Sequence, residues 1–305
     1  MLRNEIFRIK INFGGGVCFE LQGFGTGGFN PGNPFGDVDA IKEVLKVLKD
    51  HGVKNLDTAQ LYGESERFLG EVHAGDEFII DTKSQGGFDG GNALKPEVLS
   101  LKAHESIKKL GVKKVDIFYI HAPDASLKPE TWLPTINDLY KEGLLERFGL
   151  SNFLPEDVEE VYKLAKEKGF VLPTVYQGNY SPVARLQDDT LFPVLRKLKI
   201  AFYAYSPLAG GFLTKTKQSI EEGAGRFNND AIGGMYNKIY HSPLKSEQGD
   251  ALIFGASRLE QLEQTITGLQ RGPLKDETAM AIDGIWEKIK HVAPLDNFNS
   301  FTKVT

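Results

Sequence analysis

Apolar residues recur along this chain at two periods. Ile41, Val44, Leu45 and Leu48 stand at i, i+3, i+4 and i+7 between Asp37 and Gly52, the spacing of an amphipathic helix stopped by a glycine. A short β-branched and aromatic run follows at 53–57, and the alternation then continues to the C-terminal region. The pattern predicts strands over 21–26, 53–57, 77–83, 115–121, 147–152, 173–177, 200–206 and 251–257. Helices are expected between them over 65–73, 96–111, 131–142, 155–169 and 190–198, with a last one over 259–269. Pro96 and Pro155 stand at helix starts, where a missing N–H costs nothing. The strands are apolar throughout rather than alternating, which means a parallel sheet covered on both faces. Eight such units predict a closed (β/α)8 TIM barrel, with an open doubly wound sheet as the alternative. Residues 1–20 stand outside the rhythm. FRIKINF and VCFELQ around Gly14, Gly15 and Gly16 predict a β-hairpin cap on one barrel end. Residues 1–305 are expected to form one domain, with 290–305 as a C-terminal tail.

Composition narrows the function classes. With 41% hydrophobic and 25% charged residues in 305, the chain has the balance of a globular protein able to bury a large core. A net charge of −5 argues against a nucleic-acid or anionic-membrane binder. The single cysteine, Cys18, makes no internal disulfide, and no Cys/His cluster has metal-binding spacing, so no metal is expected. No signal peptide or membrane span is apparent, and a cytoplasmic setting is expected.

In a barrel of this kind the C-terminal ends of the strands build the active site. Here those ends carry Asp57, Lys83, His121, Ser151 with Asn152, Gln177, Tyr205 with Ser206, and Gly255 to Ser257. Ionisable groups ending three successive apolar strands are expensive unless they pair or work. Satisfied polarity at the barrel end is the plain alternative. Tyr62, in the loop after Asp57, can fold back over the mouth. A phenol is a poor acid near neutral pH unless a cation favours its ionised form. Lys83 can supply that cation, Asp57 can hold the lysine, and His121 can hydrogen-bond the same oxygen or a substrate carbonyl. Together they make a general acid built around a phenol.

These residues also carry a family resemblance. NLDTAQLYGESERFLGE (55–71), TK at 82–83, IHAPD (120–124), RFGLSNF (147–153), VYQGNYSP (175–182), YSPLAGGFL (205–213) and IFGASRLEQLEQT (253–265) fall in order on the expected strand ends. The chain resembles the aldo-keto reductases, most closely the aflatoxin-aldehyde-reductase-like branch, from about Leu21 to Ile289. That resemblance implies NADP(H)-dependent reduction of a small carbonyl substrate, with Asp57, Tyr62, Lys83 and His121 as the catalytic tetrad. It further implies that Ser151, Asn152 and Gln177 hold the carboxamide and that Tyr205 stacks on the nicotinamide. Ser206, Pro207, Leu208 and Gly210 would wrap the pyrophosphate, Arg226 would lie near the phosphates, and Ser257, Gln261, Gln264 and Thr265 would grip the adenosine end. Thr265 departs from the family, which usually has Asn there. Alcohol oxidation is the same chemistry reversed; a non-catalytic or impaired NADP-binding subunit is the rival reading, and homo-oligomerisation is left open.

The rival rests on the segment from Ala209 to Asp250, which is short for the family and carries no amphipathic pattern. A missing covering helix would leave about 400 Å² of strand surface wet, on the order of 10 kcal/mol. The barrel is therefore expected to be destabilised, to have the gap covered by a partner chain, or to open between strands seven and eight, and the chain alone to bind NADPH weakly. Two further features are weaker. Gly23, Gly25 and Gly28 match a dinucleotide fingerprint, but FNPGNPFG follows where a helix must start. Trp132 and Trp286 are expected to pack.

Overall fold

The computed structural model describes residues 20–207, 209, 251–270, 276–293, 295, 296, 298 and 299. Its strands are β1 (Glu20–Gly25), β2 (Asn55–Asp57), β3 (Ile79–Ser84), β4 (Val115–Ile120), β5 (Leu145–Ser151), β6 (Pro173–Asn179), β7 (Ala201–Tyr205) and β8 (Ala251–Phe254). Every neighbour in chain order pairs in parallel, and β8 pairs back onto β1 through Glu20↔Ala251 and Leu21↔Leu252. The barrel is closed, as expected. Helices α1 (Val38–Asp50), α2 (Ser65–Glu71), α3 (Pro96–Leu110), α4 (Pro129–Lys141), α5 (Pro155–Lys168) and α6 (Phe192–Leu198) lie between successive strands, and α7 (Leu259–Gln270) and α8 (Asp276–Ile289) follow β8.

Local chemistry explains the helix ends. Asp37 caps α1 by accepting the Ala40 N–H at 2.9 Å. Pro96, Pro129 and Pro155 each open a helix, while Gly111 and Gly169 close α3 and α5 at φ 67° and 66°. The expected stripe on α1 is the face that is buried: Ile41, Val44, Leu45 and Leu48. Trp132 and Trp286 both pack, at 1% and 7% exposure.

Several boundaries differ from the pattern. The strand expected from residue 77 begins at Ile79, because a 3-10 turn over Ala74–Asp76 holds the Glu77 and Phe78 N–H groups on the Ala74 carbonyl. The last strand ends at Phe254, three residues early. α8 was not foreseen. Its apolar residues Ile282, Ile285, Trp286 and Ile289 stand at i, i+3, i+4 and i+7, a helical stripe that was passed over; Trp286 is buried and Ile285 exposed.

The expectation for strands seven and eight needs correction. β7 and β8 pair through Tyr203↔Ala251 and Ala204↔Leu252, so the barrel does not open there. The outward residues Phe202, Ala204, Leu252 and Phe254 are all buried. Phe192 and Tyr180 meet the Phe202 ring at 4.8 and 5.7 Å, and Phe24 meets Phe254 at 5.6 Å. Aromatic side chains from neighbouring elements thus pack on the surface that was expected to be wet. The hairpin over 1–20, apart from Glu20 in β1, and the crossover over 210–250 lie outside the described residues.

Apolar packing forms two layers. One lies between the outer strand faces and the helices; the other fills the lumen with Ile117, Tyr119, Val175, Tyr203, Ala251 and Ile253. Gly149 lets the Tyr119 ring lie flat on β5, since a Cβ there would stand 2.3 Å from the Tyr119 Cδ1 atom. We expect Gly149→Ala to displace that ring and cost about 1–3 kcal/mol, read by urea denaturation; an unchanged midpoint and slope would contradict this packing.

Candidate active site

The C-terminal ends of the strands bring most of the expected site residues to one mouth. Asp57 is the last residue of β2 and Lys83 the penultimate residue of β3. Lys83 has no solvent exposure. Its Nζ donates to Asp57 Oδ2 at 2.7 Å and to the Thr58 carbonyl at 2.8 Å. Asp57 Oδ1 accepts from Gln177 Nε2 at 2.8 Å, a bond that crosses the lumen from β6. Burial by itself pulls the ammonium down, but the Asp57 carboxylate, the Tyr62 phenol and the hydrogen bond to Asp57 outweigh it, and the net shift is upward. Lys83 is therefore a fixed cation.

Tyr62 reaches the same place from the loop between β2 and α2. That loop is pinned on several sides. Gln60 N–H donates to the Lys83 carbonyl at 3.0 Å, Asn30 Nδ2 donates to the Tyr62 carbonyl at 3.1 Å, and Asn30 Oδ1 accepts the Glu64 N–H at 2.8 Å. Gly63 sits at φ 56° with Asn30 Oδ1 where a Cβ would go, so a side chain there would break the clamp. The half-buried Tyr62 ring has Lys83 Nζ 5.1 Å from its centroid and meets the His121 ring edge-on at 5.8 Å. His121, one residue past β4, is buried; burial first, then Lys83, hold its imidazole well below the usual histidine range. That favours the neutral imidazole, and its Nδ1 is buried without a partner.

Beside this cluster, Asn152 forms a junction. Its backbone is left-handed, φ 61°, a conformation that Asn tolerates better than most residues. Its Nδ2 donates to the His121 carbonyl at 2.8 Å and to Ser151 Oγ at 3.1 Å, and its Oδ1 accepts from Tyr205 Oη at 2.8 Å. One group thus ties together β4, β5 and β7. Ser206, also at positive φ (55°), and Pro207 follow Tyr205 at the mouth. Ser257 Oγ donates to Gln261 Oε1 at 2.8 Å where α7 begins, and Gln264 and Thr265 lie on that helix. Leu208, Gly210 and Arg226 lie outside the described residues.

Several residues at this mouth were not foreseen. Phe88, from a glycine-rich turn after β3, meets His121 edge-on at 5.1 Å and Phe298 at 4.9 Å. Asn299 Nδ2 donates to the Asn152 carbonyl at 2.9 Å, so the C-terminal tail reaches the Asn152 junction. Asp81 lies two residues before Lys83, buried, with Oδ1 accepting the Ile117 N–H at 3.1 Å. Burial, then Asp116 and Asp57, push its carboxyl well above the usual range, which favours the neutral acid. No local signal marks Phe88, Phe298 or Asn299, because their contacts join distant parts of the chain.

The donor set fits a nicotinamide. Ser151 Oγ accepts from Asn152 and keeps its own O–H to give; Gln177 spends Nε2 on Asp57 and keeps Oε1 to accept. A carboxamide offers the complementary pair. Buried polar atoms without partners at Ser84, His121 and Asn179 mark a mouth built to meet a polar group.

Comparisons with known proteins agree with this geometry. The model of the Aldo/keto reductase family matches residues 23–237. The oxidoreductase sirO of Leptosphaeria maculans is 34% identical over 91% of this chain and 95% of its own length. Human aflatoxin B1 aldehyde reductase member 4 is 34% identical over 85% of this chain and 92% of its own, on the branch that the sequence resembles. A solved holo-form aldo-keto reductase, AKR11C1 from Bacillus halodurans, superposes with a TM-score of 0.66 at 18% identity, covering 92% of this chain and 94% of that one; at that identity the likeness speaks for the barrel alone. With a family match over most of its length and relatives above 30% identity, the chain belongs to the aldo/keto reductase family.

Proposed function

We propose that this chain reduces aldehydes or ketones to alcohols with NADPH, using Tyr62 as the proton donor. One observation carries the reading: a wholly buried ammonium, Lys83, is held on Asp57 at 2.7 Å and lies 5.1 Å from the Tyr62 ring. A protein that only bound the cofactor would not need a desolvated cation aimed at a phenol, which is the argument against the non-catalytic alternative.

Bound NADPH supplies a hydride to the carbonyl carbon. Every other part of the reaction falls to the chain. The Tyr62 hydroxyl gives its proton to the carbonyl oxygen as that oxygen gains charge, and Lys83 stabilises the phenolate that remains. Asp57 keeps Lys83 in place, and Gln177 keeps Asp57 in place. His121, being neutral, orients the carbonyl through the nitrogen other than its buried Nδ1. Ser151, Asn152 and Gln177 would hold the carboxamide, and Tyr205 would stack on the ring. Ser206, Pro207, Leu208, Gly210 and Arg226 would meet the phosphates; Ser257, Gln261, Gln264 and Thr265 would meet the adenosine end. Phe88 and Phe298 supply an aromatic wall beside His121, which suits aromatic aldehydes and dicarbonyls. Among the described residues no helix is long and apolar enough to cross a membrane, and the lone Cys18 supports a reducing, cytoplasmic setting.

NADPH oxidation with a panel of aromatic aldehydes and dicarbonyls tests the reading directly. Tyr62→Phe should keep NADPH binding and lose turnover by at least about a hundredfold; turnover within about twofold of the parent would remove Tyr62 from the role. Lys83→Met takes away the cation that favours the ionised phenol. The phenol then titrates at higher pH, so the alkaline limb of the reduction profile should move to higher pH as activity falls. An unmoved limb would make Lys83 structural.

A further inference from the structure

Asn179 is the last residue of β6 and has no solvent exposure. Both polar atoms of its side chain, Nδ2 and Oδ1, are buried without a hydrogen-bond partner. Among the described residues, the other side chains with partnerless buried atoms, Ser84, Tyr119, His121 and Asp124, have one such atom each. An amide left this way is costly to keep unless something else completes it.

Its direction follows from the strand. Side chains alternate along β6. Tyr176 and Gly178 belong to the outer face, where Tyr176 stacks on Phe202 at 5.9 Å and a Cβ on Gly178 would strike both rings. Val175 packs in the lumen with Tyr203, and Gln177 reaches across it to Asp57. Asn179 shares the face of Val175 and Gln177. Two residues of rise put it about 7 Å beyond Gln177, toward the mouth. Its register partner on β7 is Tyr205.

We propose that Asn179 is a cofactor-binding residue that hydrogen-bonds the nicotinamide-side half of NADP(H), at its ribose hydroxyl or its carboxamide. The inference rests on the NADP(H) reading above and adds a contact that the family resemblance did not supply. An amide presents a donor and an acceptor together, and a ribose hydroxyl or a carboxamide answers both. A phosphate, which only accepts, would satisfy Nδ2 and leave Oδ1 facing negative charge. The position fits as well: Asn179 lies past Gln177 and beside Tyr205, the residues proposed to hold and stack the nicotinamide.

The full chain carrying Asn179→Leu tests this by calorimetric titration with three probes. These are NADP+, 2′-phospho-ADP-ribose, which lacks the nicotinamide ring, and adenosine 2′,5′-bisphosphate, which lacks the nicotinamide-side half altogether. We expect NADP+ to bind about five- to twentyfold more weakly and adenosine 2′,5′-bisphosphate to bind as it does to the parent. Loss with 2′-phospho-ADP-ribose assigns the bond to the ribose; loss with NADP+ alone assigns it to the carboxamide. The apo variant should melt no lower than the parent, because a partnerless amide contributes nothing without its ligand. Should the leucine variant fold poorly, Asn179→Ala, which only removes atoms, carries the same comparison. NADP+ affinity within about twofold of the parent would overturn the proposal. So would equal weakening of all three probes with a lower apo melting temperature, which means a structural role. A parent that bound no NADP+ would overturn the proposed function itself, a different failure from a variant that binds as well as its parent.

Discussion

The ion pair between Lys83 and Asp57 constrains everything else at the mouth of this barrel. An ammonium with no solvent exposure must recover its lost hydration from a few fixed partners. Asp57 at 2.7 Å and the Thr58 carbonyl at 2.8 Å provide that recovery, and both are fixed by where β2 ends. Asp57 is in turn gripped by Gln177 from the far side of the lumen. Two consecutive strands, β2 and β3, and one far along the chain, β6, therefore meet at one carboxylate. The closed barrel makes this possible, because it points the ends of β2, β3 and β6 into a common space. Under the proposed reaction the buried cation beside Tyr62 would favour the phenolate, and after burial the same cation lowers the pKa of His121.

Around this pair, backbone conformations that are rare for most residues sit where the chain must turn sharply. Asn152 and Ser206 adopt positive φ, one just past β5 and one just past β7. Asn152 uses that geometry to bond the His121 carbonyl, Ser151 and Tyr205 together. The tail adds Asn299 to the Asn152 carbonyl and Phe298 to Phe88. A segment read from the sequence as a plain C-terminal tail thus forms part of the wall that a substrate would meet.

The sequence disclosed the barrel and the ionic cluster for a physical reason. Strands buried on both faces leave uninterrupted apolar runs, so an ionisable residue at the end of one stands out, as Asp57, Lys83 and His121 do. Asn179 was not read: the strand expected over 173–177 stops two residues short of it, and an amide in a strand raises no alarm until its partners are counted. Phe88 and Phe298 were not legible, since nothing in a glycine-rich turn or a tail records which distant ring it will meet. The expected opening between strands seven and eight is not seen, since β7 pairs with β8, and a count of helices ignores what aromatic side chains can cover. Phe192, Tyr180 and Phe24, from neighbouring elements, pack on the outer faces of Phe202 and Phe254. α8 was legible but passed over: Ile282, Ile285, Trp286 and Ile289 carry the same spacing as the stripe on α1.

The most direct test of this account is a double-mutant cycle on the buried pair, with Asp57→Asn, Lys83→Met and both together, read by urea denaturation of the full chain. Removing one partner leaves the other charge buried and uncompensated, so each single variant should lose about 3–5 kcal/mol. The double variant, which buries no charge at this point, should lose much less than the sum. Losses that add to within about 0.5 kcal/mol would show two independent residues, and would contradict the claim that one ion pair organises the site.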